Sequence, residues 1–229
     1  MRKTFNLIVA LAIVCLSASC NKDSEGPTDF SGGCEAVDLG LSVKWASYNV
    51  GAQNVENLGF YFAWGETTEK TNYDWSAEGD YKWGTYNFDD KPFYGMTKYT
   101  GDSIVGGDGL KTLLTIDDPA TVNWGTKWRT PTVDEINELL DSTKCKWTWD
   151  EVRRGFTVTG LKTGNSIFLP AAGYRNGTGT FLVGVECLYW SSSVYQTDPS
   201  HAYYLTSFWL DWSAGIRSDG LSVRAVTEY

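Results

Sequence analysis

Hydrophobic and polar residues alternate in short stretches along most of the chain. Six of these stretches, broken by Gly, Asn or Asp, have the two-residue period or the apolar run that is typical of short strands. They are residues 36–45, 59–64, 156–159, 166–169, 202–208 and 221–226. No period of roughly 20–50 residues repeats, which excludes solenoids and propellers. The pattern predicts an α+β fold with roughly eight to ten short, mostly antiparallel strands.

Two segments carry helix signals. Asp118 is an N-cap residue before Pro119 at the first helical position, and Gly125 ends this segment after one to two turns. Thr132 and Glu135 form a capping box that opens an amphipathic second helix. The apolar face of that helix consists of Ile136, Leu139 and Leu140. The aromatic-rich residues 67–109 lack a clear period and are predicted to be a long insertion of loops and short strands.

The N-terminus has the organisation of a bacterial export signal. Arg2 and Lys3 precede an apolar run at residues 5–16, and small residues follow at 17–19 before Cys20. A helix that crosses a bilayer core of ~30 Å needs ~20 apolar residues, so this run is too short to span one. Small residues directly after such a run indicate a cleavage site.

Cys20 resembles the lipidated cysteine of a bacterial lipobox, although Ser17 stands where leucine is usual. The alternative is an ordinary secretory signal that is cut near Ser19. The charged segment 21–25 resembles the signal that exports Bacteroidetes lipoproteins to the outer face of the outer membrane. We therefore expect a cell-surface protein that a lipid on Cys20 anchors to the outer membrane. The predicted organisation is a signal peptide at residues 1–19, a flexible tether at 20–34 and one domain at 35–229.

The charge of the mature chain argues against nucleic-acid partners. Cleavage after residue 19 removes two of the 19 basic residues, which leaves 17 against 28 acidic residues and a net charge of −11. Such a surface repels nucleic-acid phosphates and anionic lipids alike. We expect no nucleic-acid partner.

Three cysteines remain in the mature domain once Cys20 is lipidated: Cys34, Cys145 and Cys187. An odd number in an oxidising compartment means one disulfide and a free thiol, or no disulfide. Their spacing fits no zinc site, which needs paired C-x-x-C motifs or additional histidines. The sequence does not decide between the possible pairs.

Seven motifs in order resemble the Fibrobacter succinogenes major paralogous domain and related Bacteroidetes surface proteins. The resemblance extends over roughly residues 35–229. The motifs are VDLGLSVKWA at 37–46 with NVGA at 49–52, YFAWGE at 61–66, DDPATVNWG at 117–125, WRTPT at 128–132, IFLPAAGYR at 167–175, YWSSS at 189–193 and SVR at 222–224. The resemblance implies a C-type-lectin-like fold of the formylglycine-generating-enzyme type, with two short helices.

The chain departs from this family at two positions. Tyr48 stands where members often carry a cysteine, so a disulfide between that position and Cys145 is not available. Formylglycine-generating enzymes depend on a closely spaced cysteine pair near the C-terminus, whereas Cys187 stands alone there. The resemblance therefore implies a fold but not that activity.

Several proteins with this kind of C-terminal segment are variable targets of diversity-generating retroelements, in which scattered positions change and the scaffold stays fixed. The resemblance implies that such variation falls between conserved scaffold phrases. The implied scaffold is residues 189–193, 202–203 and 217–226, and the implied variable stretches are 176–188, 195–201 and 206–216.

Catalytic and metal-binding patterns are missing from the sequence. His201 is the only histidine, and the turn-like sequence of residues 198–201 predicts a solvated loop residue rather than a catalytic base. There is no HExxH, Gly-rich phosphate loop or G-x-S-x-G motif. The acidic pairs at residues 89–90 and 117–118 are explained better as turn and helix-cap residues. We expect no enzyme activity, no cofactor and no required metal.

The aromatic residues near the C-terminus are the remaining candidates for function. If residues 208–212 form a strand, Trp209 and Asp211 share the face that points outward, and Phe208, Leu210 and Trp212 share the other. Exposed tryptophans are frequent in binding hot spots, although both tryptophans could instead pack the end of the core. The predicted ligand-binding residues are Asn176, Thr178, Thr180, Phe181, Tyr195, Asp198, His201, Trp209, Asp211 and Trp212.

The sequence favours a binding module that recognises a protein or a glycan through its C-terminal loops. The alternative is an adhesin-associated or pilus-associated interaction protein without a variable ligand site. Arg175 and Arg217 are predicted to belong to the scaffold, where they pair with buried carbonyls or acids.

Overall fold

The structure is a computed structural model that describes residues 34–76, 80–84, 95–101 and 107–229. The predicted signal peptide, the predicted lipidation site Cys20 and almost all of the predicted tether lie outside the described residues. Parts of the predicted insertion at residues 67–109 lie outside them as well.

Short strands dominate the described residues. The strands are β1 Ala36–Val37, β2 Lys44–Ala46, β3 Phe62–Ala63, β4 Cys145–Asp150, β5 Gly155–Gly160, β6 Ser166–Pro170, β7 Tyr174–Asn176, β8 Gly179–Phe181, β9 Leu188–Val194, β10 His201–Thr206, β11 Asp211–Ile216, β12 Gly220–Leu221 and β13 Val226–Thr227. A 3₁₀ helix at Thr115–Asp117 precedes helices α1 Pro119–Trp124 and α2 Val133–Leu140. The fold is α+β and mostly β, as predicted.

The strands form four small sheets in which every strand pair is antiparallel. Their orders are β1-β2-β13, β11-β10-β9, β3-β12-β7-β8 and β4-β5-β6. Strand β12 lies between β3 and β7, which are far apart in sequence, so the C-terminal segment closes the fold.

Both helices begin where the capping residues predict. The Asp118 carboxylate accepts hydrogen bonds from the backbone N–H groups of Ala120 and Thr121, and Gly125 ends α1 with a φ of 85°. Thr132 and Glu135 make both hydrogen bonds of a capping box at the start of α2. These bonds satisfy N–H groups that a helix leaves free in its first turn.

Two apolar clusters lie on opposite sides of β9, whose seven residues are all buried. Trp190 and Val194 point into the first cluster, which includes Trp64 and the side chains of α1. Tyr189 belongs to the second cluster, together with Leu205 and the apolar face of α2. The predicted scaffold phrase at residues 189–193 is therefore the buried centre of the fold.

Two arginines, Arg224 and Arg217, are fully buried. Arg217 holds distant segments together, as predicted. Its guanidinium group donates to the carbonyl oxygens of Pro199 and Lys98 and to the Tyr81 hydroxyl, and it lies over the Trp64 ring. The prediction is also correct for Arg175, which donates to the backbone carbonyl of Lys70. Burial lowers the pKa of the Arg217 guanidinium group.

Several predicted strands are wrong in extent. Residues 36–45 form two strands, β1 and β2, because Gly40 turns the chain with a φ of 77°. Residues 221–226 likewise contribute to two strands in different sheets, β12 and β13. The described residues contain thirteen strands rather than eight to ten, since bends divide the apolar runs.

The three cysteines of the domain are free thiols in the structure. Of the alternatives left open by the sequence, the structure has no disulfide among them. Burial raises the pKa of Cys145 to about 11 and that of Cys187 to about 12. Because the thiolate is the reactive form, both thiols are unreactive near neutral pH.

Candidate functional site

The candidate site lies on the sheet formed by β9, β10 and β11. Successive side chains in a strand point to opposite faces, so His201, Tyr203 and Leu205 of β10 share one face. Their partners across the β10–β11 pair are Ile216, Ala214 and Trp212. Leu205 is buried beneath α2, whereas the other half of this face is open to solvent.

The open half is a cleft of about 390 Å³, here called the aromatic cleft. Tyr195, Asp198, His201, Trp212, Ser213 and Ala214 line it. Tyr203 stands between Tyr195 and Trp212, with ring centroids 5.2 and 4.8 Å away and nearly perpendicular planes. Edge-to-face pairs contribute about 0.5–1.5 kcal/mol beyond their buried area, so the three rings hold one another in place before a ligand binds.

A polar cluster occupies one end of the aromatic cleft. The His201 Nδ1 atom lies 2.8 Å from Ser200 Oγ and 3.0 Å from Asp198 Oδ2. Ser200 also donates to Asp198 Oδ1, at 2.6 Å. Because the serine and the aspartate contact the same ring nitrogen, this is not the serine–histidine–aspartate relay of a hydrolase, in which they contact opposite nitrogens.

The prediction that His201 is a solvated loop residue is wrong. His201 is the first residue of β10, and its side chain is only partly exposed. Its sequence neighbours form the predicted turn, in which Asp198 accepts the backbone N–H of Ser200. The alternation of His201 with Tyr203 was the sequence signal for a strand.

The turn between β10 and β11 presents apolar side chains to solvent. Phe208 and Trp209 are 69% and 77% exposed, and their ring centroids lie 4.5 Å apart. Leu210 adopts a φ of 49°, a left-handed conformation that costs about 1–2 kcal/mol for a residue with a side chain. Neither the exposed apolar side chains of this turn nor its strained backbone stabilises the isolated chain.

Residues 208–212 therefore do not form the strand on which the facing of their side chains was conditional, although the predicted exposure of Trp209 is correct. Residues 207–210 form a turn, and β11 begins at Asp211. Consequently Phe208 and Leu210 are exposed instead of pointing inward, and Trp212 is 40% exposed. The alternative that both tryptophans pack the core is excluded.

A second, smaller cleft of about 280 Å³ lies on the opposite face of β10 and β11, and is here called the acidic cleft. Tyr174, Leu182, Glu186, Leu188, Tyr204, Gly215, Asp219 and Leu221 line it. Its two carboxylates are held in place: Thr206 donates to Glu186, and Asn176 donates to Asp219 at 2.7 Å. Phe181 packs on Tyr174 at this cleft.

The structure divides the ten predicted ligand residues into three groups. Tyr195, Asp198, His201 and Trp212 line the aromatic cleft. Trp209 and Asp211 lie at the β10–β11 turn and the start of β11. Asn176, Thr178, Thr180 and Phe181 lie on the β7–β8 hairpin. Sequence reasoning missed Tyr203, Glu186 and Asp219, since it assigned Tyr203 to the scaffold.

A third cavity, of about 630 Å³, has a different character. Its lining is Glu66, Thr67, Thr68, Lys70, Thr71, Asn72, Asp80 and Lys82. The Lys70 ammonium group pairs with Glu66, and Lys82 pairs with the buried Asp117. Its described lining contains no aromatic side chain, so it lacks the features that make the sheet clefts suited to recognition.

No protein-family model, curated protein or solved structure matches this chain. The resemblance drawn from the motifs therefore stays a prediction. Within the described ranges, no helix is long and apolar enough to cross a membrane. The same part of the chain contains no group of three or more His, Cys, Asp or Glu residues placed to hold a metal ion.

Asp219 makes stability depend on pH. Burial raises its pKa from 3.8 to about 6, while Asn176 and His201 oppose the shift. A raised folded-state pKa gives stability that is fully present below about pH 4 and is lost as the pH rises through about 6. We expect the unfolding free energy of the wild type, relative to Asp219→Asn, to fall by about 2 kcal/mol from about pH 4 to about pH 7, allowing for partial solvent screening.

Urea denaturation of both proteins at each pH measures this difference. Asp211→Asn is the matched control, because Asp211 is an exposed aspartate at the start of β11. A pH-independent difference between the wild type and Asp219→Asn would show that the Asp219 carboxyl is not held in a desolvated site.

Proposed function

We propose that this chain is a ligand-binding module, displayed at the cell surface as a lipoprotein, that recognises a protein or a glycan through the surface formed by β10, β11 and the adjoining loops. The lipid on Cys20 holds it to the outer membrane, and a C-type-lectin-like framework supports the surface. The single observation that carries the proposal is the exposed aromatic group formed by Phe208, Trp209 and Trp212 beside the aromatic cleft.

The energetics of this group support recognition. A tryptophan or phenylalanine side chain buries about 150–250 Å² when it is enclosed. At about 25 cal/mol per Å², each ring leaves up to several kcal/mol of hydrophobic free energy unused in the isolated chain. The pre-arranged rings of Tyr195, Tyr203 and Trp212 also lose little side-chain entropy on binding. A partner that covers these rings gains both contributions.

The distribution of exposure also supports a fixed framework with an adaptable surface. The implied scaffold phrase at residues 189–193 is fully buried, and residues 217–226 are buried apart from Asp219. Most of the exposed apolar side chains after residue 175 fall in the implied variable stretches 176–188 and 206–216. Substitutions at the exposed positions of those stretches would alter the surface, whereas Cys187 and Leu188 at the end of the first stretch are buried in the apolar clusters.

The test is binding by Trp209→Ala and Trp212→Ala on arrays of glycans and of extracellular proteins. We expect each variant to weaken binding of the captured ligand by roughly tenfold or more, because both rings belong to the exposed aromatic group. The thermal midpoint should change by no more than about 2 °C for Trp209→Ala, since that side chain is mostly in solvent.

Ile116→Ala is the matched control, because Ile116 is an exposed apolar residue outside this surface. Unchanged binding by both tryptophan variants would contradict the proposal. Binding that is lost only together with folding would instead assign the tryptophans a structural role.

A further inference from the structure

Strand β11 is an edge strand whose outer backbone groups can be identified. The Arg217 N–H donates to the Ser200 carbonyl, so residues 211, 213 and 215 also direct their backbone groups toward β10. Trp212, Ala214 and Ile216 therefore direct theirs outward. The Trp212 N–H bonds to the Asp211 side chain, and the Ile216 carbonyl accepts from the N–H of residue 219.

Four other backbone groups point outward from this edge: the carbonyls of Trp212 and Ala214 and the N–H groups of Ala214 and Ile216. Within the described part of the chain, no residue is hydrogen-bonded to them. They are spaced as one side of a β-ladder, so an added strand of about five residues could pair with all four. Backbone groups in this arrangement are the recognition element of strand addition.

This edge lacks the features by which proteins usually protect edge strands, namely lysine, proline and a bulge. β11 contains neither residue, and Ser213, Ala214 and Gly215 in its centre leave room for another backbone. Among the described residues, the other edge strands of comparable length differ: β4 contains Lys146, β6 ends in Pro170, and β9 is buried along its whole length. Among the described edge strands of this length, β11 alone lacks such protection, which indicates a use for it.

The charge around the edge selects the partner. From residue 176 to the C-terminus the chain has five acidic residues and only two basic ones, Arg217 and Arg224, both fully buried. Asp198 lies on one face of the edge, and Glu186 and Asp219 lie on the other. Neither described cleft lining includes a lysine or an arginine. Aromatic rings next to these carboxylates are acceptors for cation–π contacts.

We propose that β11 binds an extended, lysine- or arginine-containing segment of another protein by strand addition, with its alternate basic side chains in the two clefts. Successive side chains of an added strand point to opposite faces of the sheet, and each face of this edge offers a cleft with a carboxylate. The inference rests on the proposed binding function and chooses a basic polypeptide over a glycan as the ligand.

A second copy of the chain is a poorer occupant of the same edge. Antiparallel pairing of two β11 strands about Ala214 would bring together the two sets of Asp198, Asp211 and Asp219 carboxylates. Like charges brought together at an interface are destabilising, whereas a basic segment neutralises them. The net charge of −9 for the whole chain acts in the same direction.

The experiment pans a displayed library of random ten-residue peptides against the full chain and measures the affinity of the recovered peptides. We expect enrichment of lysine and arginine at alternate positions. For a recovered peptide, methylation of alternate backbone nitrogens and the Ala214→Pro substitution should each weaken binding by at least about tenfold, because each removes ladder hydrogen bonds. Asp198→Asn combined with Glu186→Gln should weaken binding and reduce its salt dependence.

Ala36→Pro is the matched control. Ala36 also belongs to an edge strand. The Ser47 N–H donates to the carbonyl of residue 35, so the backbone groups of Ala36 point away from β2, outward from the sheet. It should leave peptide affinity unchanged. If Ala214→Pro fails to fold, the methylated peptides still test the backbone pairing with the unaltered chain.

Recovery of acidic or neutral peptides, or equal affinity for methylated and unmethylated peptides, would overturn strand addition by a basic segment. Self-association in sedimentation that Ala214→Pro abolishes would show that the edge belongs to a second copy. Glycan binding that needs Trp209 and Trp212 without any peptide binding would leave the proposed function standing and reject this inference. Loss of all binding on both arrays and library would reject both.

Discussion

Arg224→Met should lower the free energy of unfolding by about 4 kcal/mol. The Arg224 side chain is fully buried. Its guanidinium group donates to the carbonyl oxygens of Ala46, Ser47 and Phe168 and to the Asn49 side chain, at 2.8–3.0 Å. Removing the guanidinium group leaves these buried acceptors without a donor, which costs about 1–3 kcal/mol for each acceptor.

An opposing contribution makes this loss smaller than the sum over four acceptors. Burial lowers the pKa of the Arg224 guanidinium group, which means that the folded state already carries a desolvation penalty for the cation. Methionine relieves that penalty, since replacing a buried charge by an apolar side chain can stabilise a protein. The net change in the free energy of unfolding is still a decrease, because methionine supplies no donor to any of the acceptors.

Urea denaturation measures this loss, with Arg154→Met as the control. Arg154 is exposed, pairs with the exposed Glu151 at 3.3 Å and lies over the Trp149 ring, so its loss should change stability by less than about 1 kcal/mol. Arg224→Lys should be intermediate, because an ammonium group keeps the charge but cannot reach all four acceptors. Equal stability of Arg224→Met and the wild type would contradict the role of Arg224 as the link between β2, β6 and the C-terminal segment.

The sequence predicted most accurately those elements that local interactions determine. Asp118 before Pro119, and Thr132 three residues before Glu135, set the starts of both helices through hydrogen bonds within a few residues. The apolar periodicity of residues 156–159 and 166–169 likewise located β5 and β6. In each case, residues that are close together in sequence determine the element.

Turns inside apolar runs could not be read from the pattern. At Leu210 the chain adopts a left-handed conformation that normally calls for glycine, so nothing in the run Phe208–Trp212 indicated a reversal. The same difficulty applied to residues 36–45, where only Gly40 marked the turn. A reversal that tertiary packing imposes on apolar residues has no sequence signal of its own.

The arrangement of the predicted ligand residues could not be read from the sequence. Four of the ten predicted residues line one cleft, while Asn176 lies across the sheet, bonded to Asp219. Tyr203 was overlooked because the sequence does not reveal which face of β10 is buried. That depends on α2, which covers Leu205 and leaves Tyr203 open.

Arg217→Met should lower the free energy of unfolding by about 3 kcal/mol and also disturb the aromatic cleft. Its guanidinium Nη1 donates to the Pro199 carbonyl at 2.8 Å and to the Lys98 carbonyl at 3.1 Å, and Nε donates to the Tyr81 hydroxyl at 2.8 Å. Two carbonyls and a hydroxyl would lose a buried donor. The effect is smaller than at Arg224 because one nitrogen, Nη2, has no hydrogen-bond partner among the described residues.

The second consequence follows from the position of Pro199 between Asp198 and Ser200. Both residues hold the His201 ring through its Nδ1 atom, so the arginine fixes the polar end of the aromatic cleft from behind. Without that bond the turn loses one of its attachments to the core. We expect the cleft to widen and ligand affinity to fall by roughly tenfold, even at temperatures where the variant is folded.

Because His201 is the only histidine of the chain, its ring proton signals report directly on this effect. In Arg217→Met those signals should shift and broaden. Any nuclear Overhauser effect between the His201 and Tyr203 rings should weaken. Arg217→Lys separates the two consequences, since a lysine can retain one donor to Pro199 while losing the contact with Tyr81. Unchanged His201 signals in a destabilised Arg217→Met protein would show that the cleft is held by its own strands and aromatic pairs, and that Arg217 supports only the fold.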